Sequence, residues 1–309
     1  AAMAMTFAAY AVPAAWQVPV AIIAVAALAV VNCFGVTRTA LLTRVLVAVT
    51  LIGLTVVVAA AGTTAGGLTH APLPDTSVYG VLQGAGLLFF AFAGYARIAT
   101  MGEEVTHPSK NIPRAIVFAL AGAVGVYSLV ALAVLSVLGA NVVTSTSPLT
   151  DLIEAAGWAP LTPLVRVAAA TASLGALLAL LTGIGRTTLA MARTGDVPRF
   201  LSKVDIRWQV PRRAEVLIAV IVITVVLATD LRDAIGFSSF GVLLYYLIAN
   251  AAAFRQGPEA RRYPRVVQAL GAVGCVVLVS TLPVVAVIGG TVVVCLGIAY
   301  RMLRVRAAR

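Results

Sequence analysis

GVLQGAGLLFFAFAGYARIATMGEEVTHPSKNIPRAI, running from Gly80 to Ile116, is the stretch on which the reading of the chain turns. It opens as an apolar helix, sets Gly94 mid-span among Phe89, Phe90, Phe92 and Tyr95, and follows with Arg97. It leaves through the paired acids Glu103 and Glu104 into a short loop bracketed by Pro108 and Pro113. A helix that only crosses a bilayer needs none of these features. At membrane depth, a broken helix survives where its freed backbone groups face a cavity or a ligand. The stretch predicts a discontinuous, substrate-facing helix of the kind that secondary transporters use.

The rest of the chain supports a membrane setting. Of 309 residues, 61% are hydrophobic and 11% charged, where a soluble domain carries about 25% charged residues. The mean hydropathy is +1.04. Apolar runs near the ~20 residues of a membrane span recur throughout, without the alternating strands of a membrane barrel. The fold class expected is an all-α integral membrane protein with no separate soluble domain. The net charge of +11 does not point to nucleic acid, because the basic residues cluster in loops between apolar runs. Cys33, Cys275 and Cys295 fall inside apolar runs and read as small buried residues. His70 and His107 lie outside the spans and far apart, so no metal site is expected. No catalytic set or phosphate loop lies at membrane depth, so neither an enzyme nor a cofactor is expected.

Ala1 to Val12 reads as the end of a helix stopped by Pro13. Complete spans follow at Val18–Val36, Val45–Ala61, Tyr79–Glu104, Pro113–Leu138, Leu164–Ala190, Ala214–Ala228, Ile235–Phe254, Val266–Leu282 and Val284–Tyr300. That makes nine complete spans and the end of one more. Asn32, near the end of its span, either bridges to a neighbouring helix or caps its own. Asn111 is the expected N-cap before Pro113. Pro148 to Ala156 reads as a short helix lying over the surface. Arg186 to Arg213 reads as the most basic loop, Asp230, Arg232 and Asp233 as a tight turn, and Arg301 to Arg309 as a basic tail. Arginine-rich and arginine-poor loops alternate, which places the arginine-rich loops and the C-terminus in the cytoplasm. The chain begins within an apolar run and not at a methionine, as a piece of a longer protein would.

FFAFAGYARIATMGEE followed by HPSKNIPRAI resembles the sixth helix and following loop of the amino acid–polyamine–organocation permeases. That family carries FFAF-x-G-[FY], then EE-x-x-x-P-x-x-x-[IL]-P-x-x-[IL]. GRTTLAMARTGDVPRFLSKV is similar to the end of its eighth helix and the basic loop after it. VVNCFGV resembles its fourth helix, where Asn-x-x-Gly is usual. The resemblance covers essentially residues 1–309 as one transmembrane permease domain. It implies a leucine-transporter-like bundle of inverted repeats, running here from the end of the third family helix to the twelfth, with the first two helices and most of the third absent. It also implies transport of amino acids or related amines across the cytoplasmic membrane by alternating access, with protons or by exchange. The partners expected are a small-molecule substrate, the lipid bilayer and, for symport, protons. A different class of reading is a non-transporting membrane scaffold that keeps only the fold, or an inactive truncated permease.

Transport needs binding groups, not covalent chemistry. Ala91, Phe92, Ala93 and Gly94 match the family's unwound segment, whose backbone carbonyls would meet a substrate ammonium, with Tyr95 beside them. The plain alternative for Gly94 is close helix packing. Phe90 matches the family's gating aromatic, and a ring there also offers a cation–π contact. Ala96 stands where an acid is commoner. Arg97 brings a cation into the lower half of the helix, at a cost of roughly 2.5–3.5 kcal/mol on insertion scales. It reads either as an inner-gate or coupling residue or as a snorkelling side chain. Glu103 and Glu104 oppose the dipole at the helix C-terminus and suit a gate salt bridge with Lys110 or Arg114. Thr50 stands where some family members place a proton-coupling lysine, which weakens proton symport by that route. Ser173, Asn250 and Tyr245–Tyr246 are further candidates to face a cavity, while Arg166 suits snorkelling. The small-residue run Thr171 to Gly185 suits close helix packing.

Overall fold

The structure is a computed structural model. It describes residues 1–34, 40–64, 77–92, 105–205, 207–208, 210–257, 261 and 263–307. Among these residues the regular structure is helical throughout, with no strand. The helices are α1 (Ala2–Ala11), α2 (Gln17–Cys33), α3 (Ala40–Gly62), α4 (Val78–Leu88), α5 (Pro108–Leu138) and α6 (Pro148–Ala155), then α7 (Thr162–Thr194), α8 (Arg212–Ala228), α9 (Leu231–Phe254), α10 (Arg265–Thr281) and α11 (Val284–Ala307). Six of them, α2, α3, α5, α7, α9 and α11, are long and apolar enough to cross a membrane. The 17-residue helices α8 and α10 sit at the lower limit of about 17 residues for a span. The protein is an all-α, multi-pass membrane protein. Its outer helix faces carry Ile23, Phe118, Leu270 and Leu296, each more than half exposed, as lipid-facing side chains are.

The chain divides into two compact units. The first comprises Ala1–Pro74 and Val126–Leu231. Within it α1 lies against α7 and α2 against α8, while α1–α2 and α7–α8 also pack as pairs. The shared core holds Ala4, Ala8, Ala21, Val25, Ala29, Leu177, Leu181, Ile218 and Ala219. Small residues let helix backbones approach closely where lipid offers no hydrophobic drive for association. A second core joins α3, the end of α5, α6 and the start of α7 through Val57, Ala60, Ala133, Leu152, Ile153 and Val165. The helix α6 does not simply lie over the surface. It buries Thr150, Leu152 and Ile153, because its apolar residues fall on one side of two turns. Asp151 fixes its start by accepting from the Ser145 and Ser147 hydroxyls, and Tyr10 Oη accepts from the Leu149 N–H at 3.4 Å.

The second unit comprises Asp75–Gly125 and Arg232–Arg309. Here α4 packs on α10, and Phe240, Leu243, Cys275 and Leu282 form the core. Gly86 of α4 is buried. A Cβ there would lie 3.0 Å from Leu282 Cδ2 and 3.2 Å from the Leu278 carbonyl, so the helices meet at this glycine.

Several boundaries differ from the sequence expectation. The helix α5 starts at Pro108, so Pro113 lies inside it and Asn111 is not its N-cap. The His107 carbonyl accepts from Lys110 N and Asn111 N, both at 3.0 Å, and His107 takes φ 49°. The Asn111 amide instead reaches back to the Thr106 carbonyl at 2.6 Å. The helix α7 continues through Arg186 and Arg193 and stops at Gly195, whose φ of 79° suits glycine. Arg232 and Asp233 belong to the first turn of α9, not to a turn before it. The segment read as a basic tail continues α11 to Ala307. Of the cysteines, Cys275 is buried, Cys33 is half-buried, and Cys295 is exposed, contrary to the reading of all three as buried.

Candidate substrate-binding site

The site predicted from sequence is built on α4. Ser77 caps this helix, its hydroxyl accepting from the Gly80 N–H at 3.1 Å. Gln83 then ties it to two neighbours in the same unit. Its amide nitrogen donates to the Thr281 carbonyl at 2.9 Å, and its amide oxygen accepts from Arg232 at 3.2 Å. One turn on, the Leu87 carbonyl accepts from the Ser239 hydroxyl of α9 at 3.4 Å. A helix hydrogen bond would normally occupy that carbonyl alone.

At Phe89 the α-helix tightens into a 3-10 turn that runs to Phe92. A 3-10 turn commonly closes an α-helix, and this one is the last described turn of the segment. Phe89 is seated by Tyr246 of α9, with ring centroids 5.6 Å apart and planes at 82°. Phe90 and Phe92 are half-buried, and Ala91 is exposed. Ala93, Gly94, Tyr95, Arg97, Glu103 and Glu104 lie outside the described residues. Of the predicted substrate positions, the structure therefore places Phe90, Ala91 and Phe92 together on one 3-10 turn. Of the Tyr245–Tyr246 pair, Tyr246 meets the Phe89 ring, while Asn250 donates to the Tyr246 carbonyl at 2.9 Å.

Thr50 lies on α3 in the other unit, where its hydroxyl donates to the Leu46 carbonyl of its own helix at 2.8 Å. Ser173 is buried on α7, and Arg166 is exposed. An apolar groove of about 410 Å³ runs along α2 and α8, lined by Ala29, Cys33, Phe34, Arg212 and Val220 among others. None of the predicted site residues lines it.

The first unit holds a polar cluster that the sequence reading passed over. Glu215, in the first turn of α8, is 2% exposed, and Asn32 of α2 is 4% exposed. The Asn32 side chain hydrogen-bonds the Glu215 carboxyl and accepts from Thr182 Oγ1 of α7 at 3.0 Å. Asn32 thus bridges three helices and does not merely cap its own. Gly185 makes room for the carboxyl, since a Cβ there would overlap it. The available signal was an acid inside an apolar run, three residues after Arg212.

Arg212 itself serves the loop before α8. Its Nε donates to the Cys33 carbonyl at 3.3 Å, and Nη1 pairs with Asp205 at 3.2 Å. A cation at the C-terminal end of α2 complements the helix dipole. Phe34 and Trp208 meet edge-on at 5.3 Å beside it. The backbone N–H of Trp208, then that of Arg207, and the Arg212 guanidinium hold the Asp205 carboxyl below the usual carboxylate range. A depressed carboxylate contributes stability above its unfolded pKa of about 3.9 and loses it as pH falls through the lower folded value. Asp205→Ala is expected to speed tryptic cleavage after Lys203 and Arg207. The wild-type loop should resist trypsin equally from about pH 6 to 8, a window wholly above that transition.

A bundle of apolar helices of membrane-spanning length defines an integral membrane protein. The profile of the amino acid permease family matches residues 1–306, and the chain belongs to that family. It is 48% identical over its whole length to an uncharacterized transporter of Mycobacterium tuberculosis (strain H37Rv), covering 71% of that protein. An uncharacterized transporter of Mycobacterium bovis shows the same identity and coverage. A chloroplastic cationic amino acid transporter of Arabidopsis thaliana is 28% identical over 77% of this chain and 43% of its own length. The chain is thus a multi-pass transport protein of the amino acid permease family, with a small-molecule substrate.

Proposed function

We propose that the protein carries amino acids or related amines across the cytoplasmic membrane by alternating access, with substrate held at the break of α4. The observation that carries this reading is the change from α-helix to 3-10 turn at Phe89–Phe92, immediately before Ala93 and Gly94. The backbone carbonyls of Ala91 through Gly94 would receive the substrate ammonium. Phe90 closes over the substrate and Tyr95 lies next to it. Arg97, Glu103 and Glu104 form the inner gate. The alternation of arginine-rich and arginine-poor loops supports a cytoplasmic C-terminus. The chain carries a threonine at position 50, and its hydroxyl is engaged with its own helix. That favours exchange, or coupling through a group elsewhere, over a lysine-like role at this position.

Arg97→Ala distinguishes gating from snorkelling. If Arg97 gates, the variant lowers the maximal uptake rate about tenfold while the half-saturating concentration stays within about twofold, a barrier change near 1.4 kcal/mol. An unchanged rate assigns Arg97 to the membrane surface.

A further inference from the structure

We propose that Glu215 is a proton-binding site: a carboxylic acid held protonated in the seam between α2, α7 and α8, whose proton loads and unloads as that seam closes and opens. The second half of this statement rests on the transport reading above; the first half does not.

The geometry starts from an acid with almost no exposure to solvent, enclosed between helices of the first unit. An ionised carboxylate in such a place needs a cation or a full set of donors. Glu215 has one donor contact, from Asn32, and its Oε2 has no hydrogen-bond partner among the described residues. Nor does any described arginine or lysine pair with it. Arg212, one turn away on the same helix, is committed to Asp205 and the Cys33 carbonyl. Arg213 turns to the Phe200 carbonyl at 3.3 Å. Arg186, next to Gly185 on α7, and Arg199, before α8, are exposed. Cys33 on α2 is the titratable neighbour from that helix, and it supplies no positive charge. Arg38 lies outside the described residues.

A neutral carboxylic acid suits the cluster better. Its carbonyl oxygen accepts from the Asn32 amide, and its hydroxyl remains as a donor. Asn32 Oδ1 accepts from Thr182, whose single proton also serves the Leu178 carbonyl at 2.8 Å, one at a time. The three groups sit on three different helices. Separating those helices would admit water, stabilise the ionised form and release the proton, and closing them would reverse the step. No bond other than the O–H bond of Glu215 breaks or forms.

Infrared spectroscopy of the purified full-length protein tests the proton directly. The expected result is a carbonyl stretching band of a protonated carboxylic acid at neutral pH, absent in E215Q and shifted in E215D. The shifted band in E215D assigns the group even if E215Q folds poorly. Wild-type protein with no such band assignable to Glu215 at neutral pH overturns the proposal. A second arm follows amino acid uptake into vesicles between pH 6 and 8. Wild type is expected to change its rate severalfold across that range and E215Q to lose most of the change. Identical profiles overturn the coupling role. If no amino acid is taken up by wild type, the transport reading fails, and the infrared band still decides the proton site.

Discussion

Gly94→Leu is expected to abolish saturable amino acid binding by the full-length protein. The affinity loss should exceed about 100-fold, or roughly 2.7 kcal/mol. The argument runs from α4 outward. Ser77 caps this helix, and Gln83, Gly86 and Leu87 fix it to α9 and α10, so the chain reaches Phe89 with little freedom to shift. The tightening at Phe89–Phe92 then delivers the backbone to Ala93 and Gly94. A break at glycine exposes backbone groups and admits a ligand close to them. A leucine side chain would fill that space and favour continuous helix. Binding of a radiolabelled amino acid panel, with thermal denaturation as a control for folding, checks it. Wild-type affinity in a folded Gly94→Leu variant would remove the site from α4.

The second large effect concerns stability. Gly185→Ala is expected to destabilise the protein by about 1–3 kcal/mol, the range for overpacking a filled interior. Gly185 is buried on α7, and the first atom a Cβ would meet is the Glu215 carboxyl. Glu215 is 2% exposed, and moving its carboxyl away from Gly185 disturbs its contact with Asn32 of α2. Gly125→Ala is the control, since nothing lies within 4 Å of a Cβ there. A double-mutant cycle adds the decisive arm: Glu215→Ala removes the group that Gly185→Ala strikes. The double variant should therefore recover part of the loss, giving a coupling energy of about 0.5–3 kcal/mol. Additive effects, measured by thermal denaturation in detergent, would mean that the two residues do not touch.

Six of the nine expected spans are, among the described residues, helices long and apolar enough to cross a membrane, and they were legible in the sequence because hydropathy reports the bilayer directly. Helix ends were less so. The apolar signal of α7 stops near Ala190 and that of α11 near Tyr300, yet both helices run on. Arginine, methionine and leucine are good helix formers, and nothing interrupts α7 before Gly195. The start of α5 was misplaced because two prolines compete for the first turn, and Pro108 takes it. Asn32 was visible as a polar residue in an apolar run, but its partners lie 150 and 183 residues away in sequence, and no local pattern names them. Glu215 was hidden by company. It stands at the head of its apolar run, directly after Arg212, Arg213 and Ala214, and only the packing of α2 and α7 reveals an acid without a cation. The glycine among aromatics announced a break at Gly94, which lies outside the described residues; what the structure describes is the 3-10 turn at Phe89–Phe92 just ahead of it.

Uptake of a radiolabelled amino acid panel into vesicles, comparing the full-length wild-type protein with Gly94→Leu, tests the central claim most directly. Saturable uptake of at least one amino acid, competed by its unlabelled form and lost in the variant, is the predicted result. No saturable uptake across the panel, or uptake in Gly94→Leu at the wild-type rate and half-saturating concentration, would contradict a transport site at the break of α4.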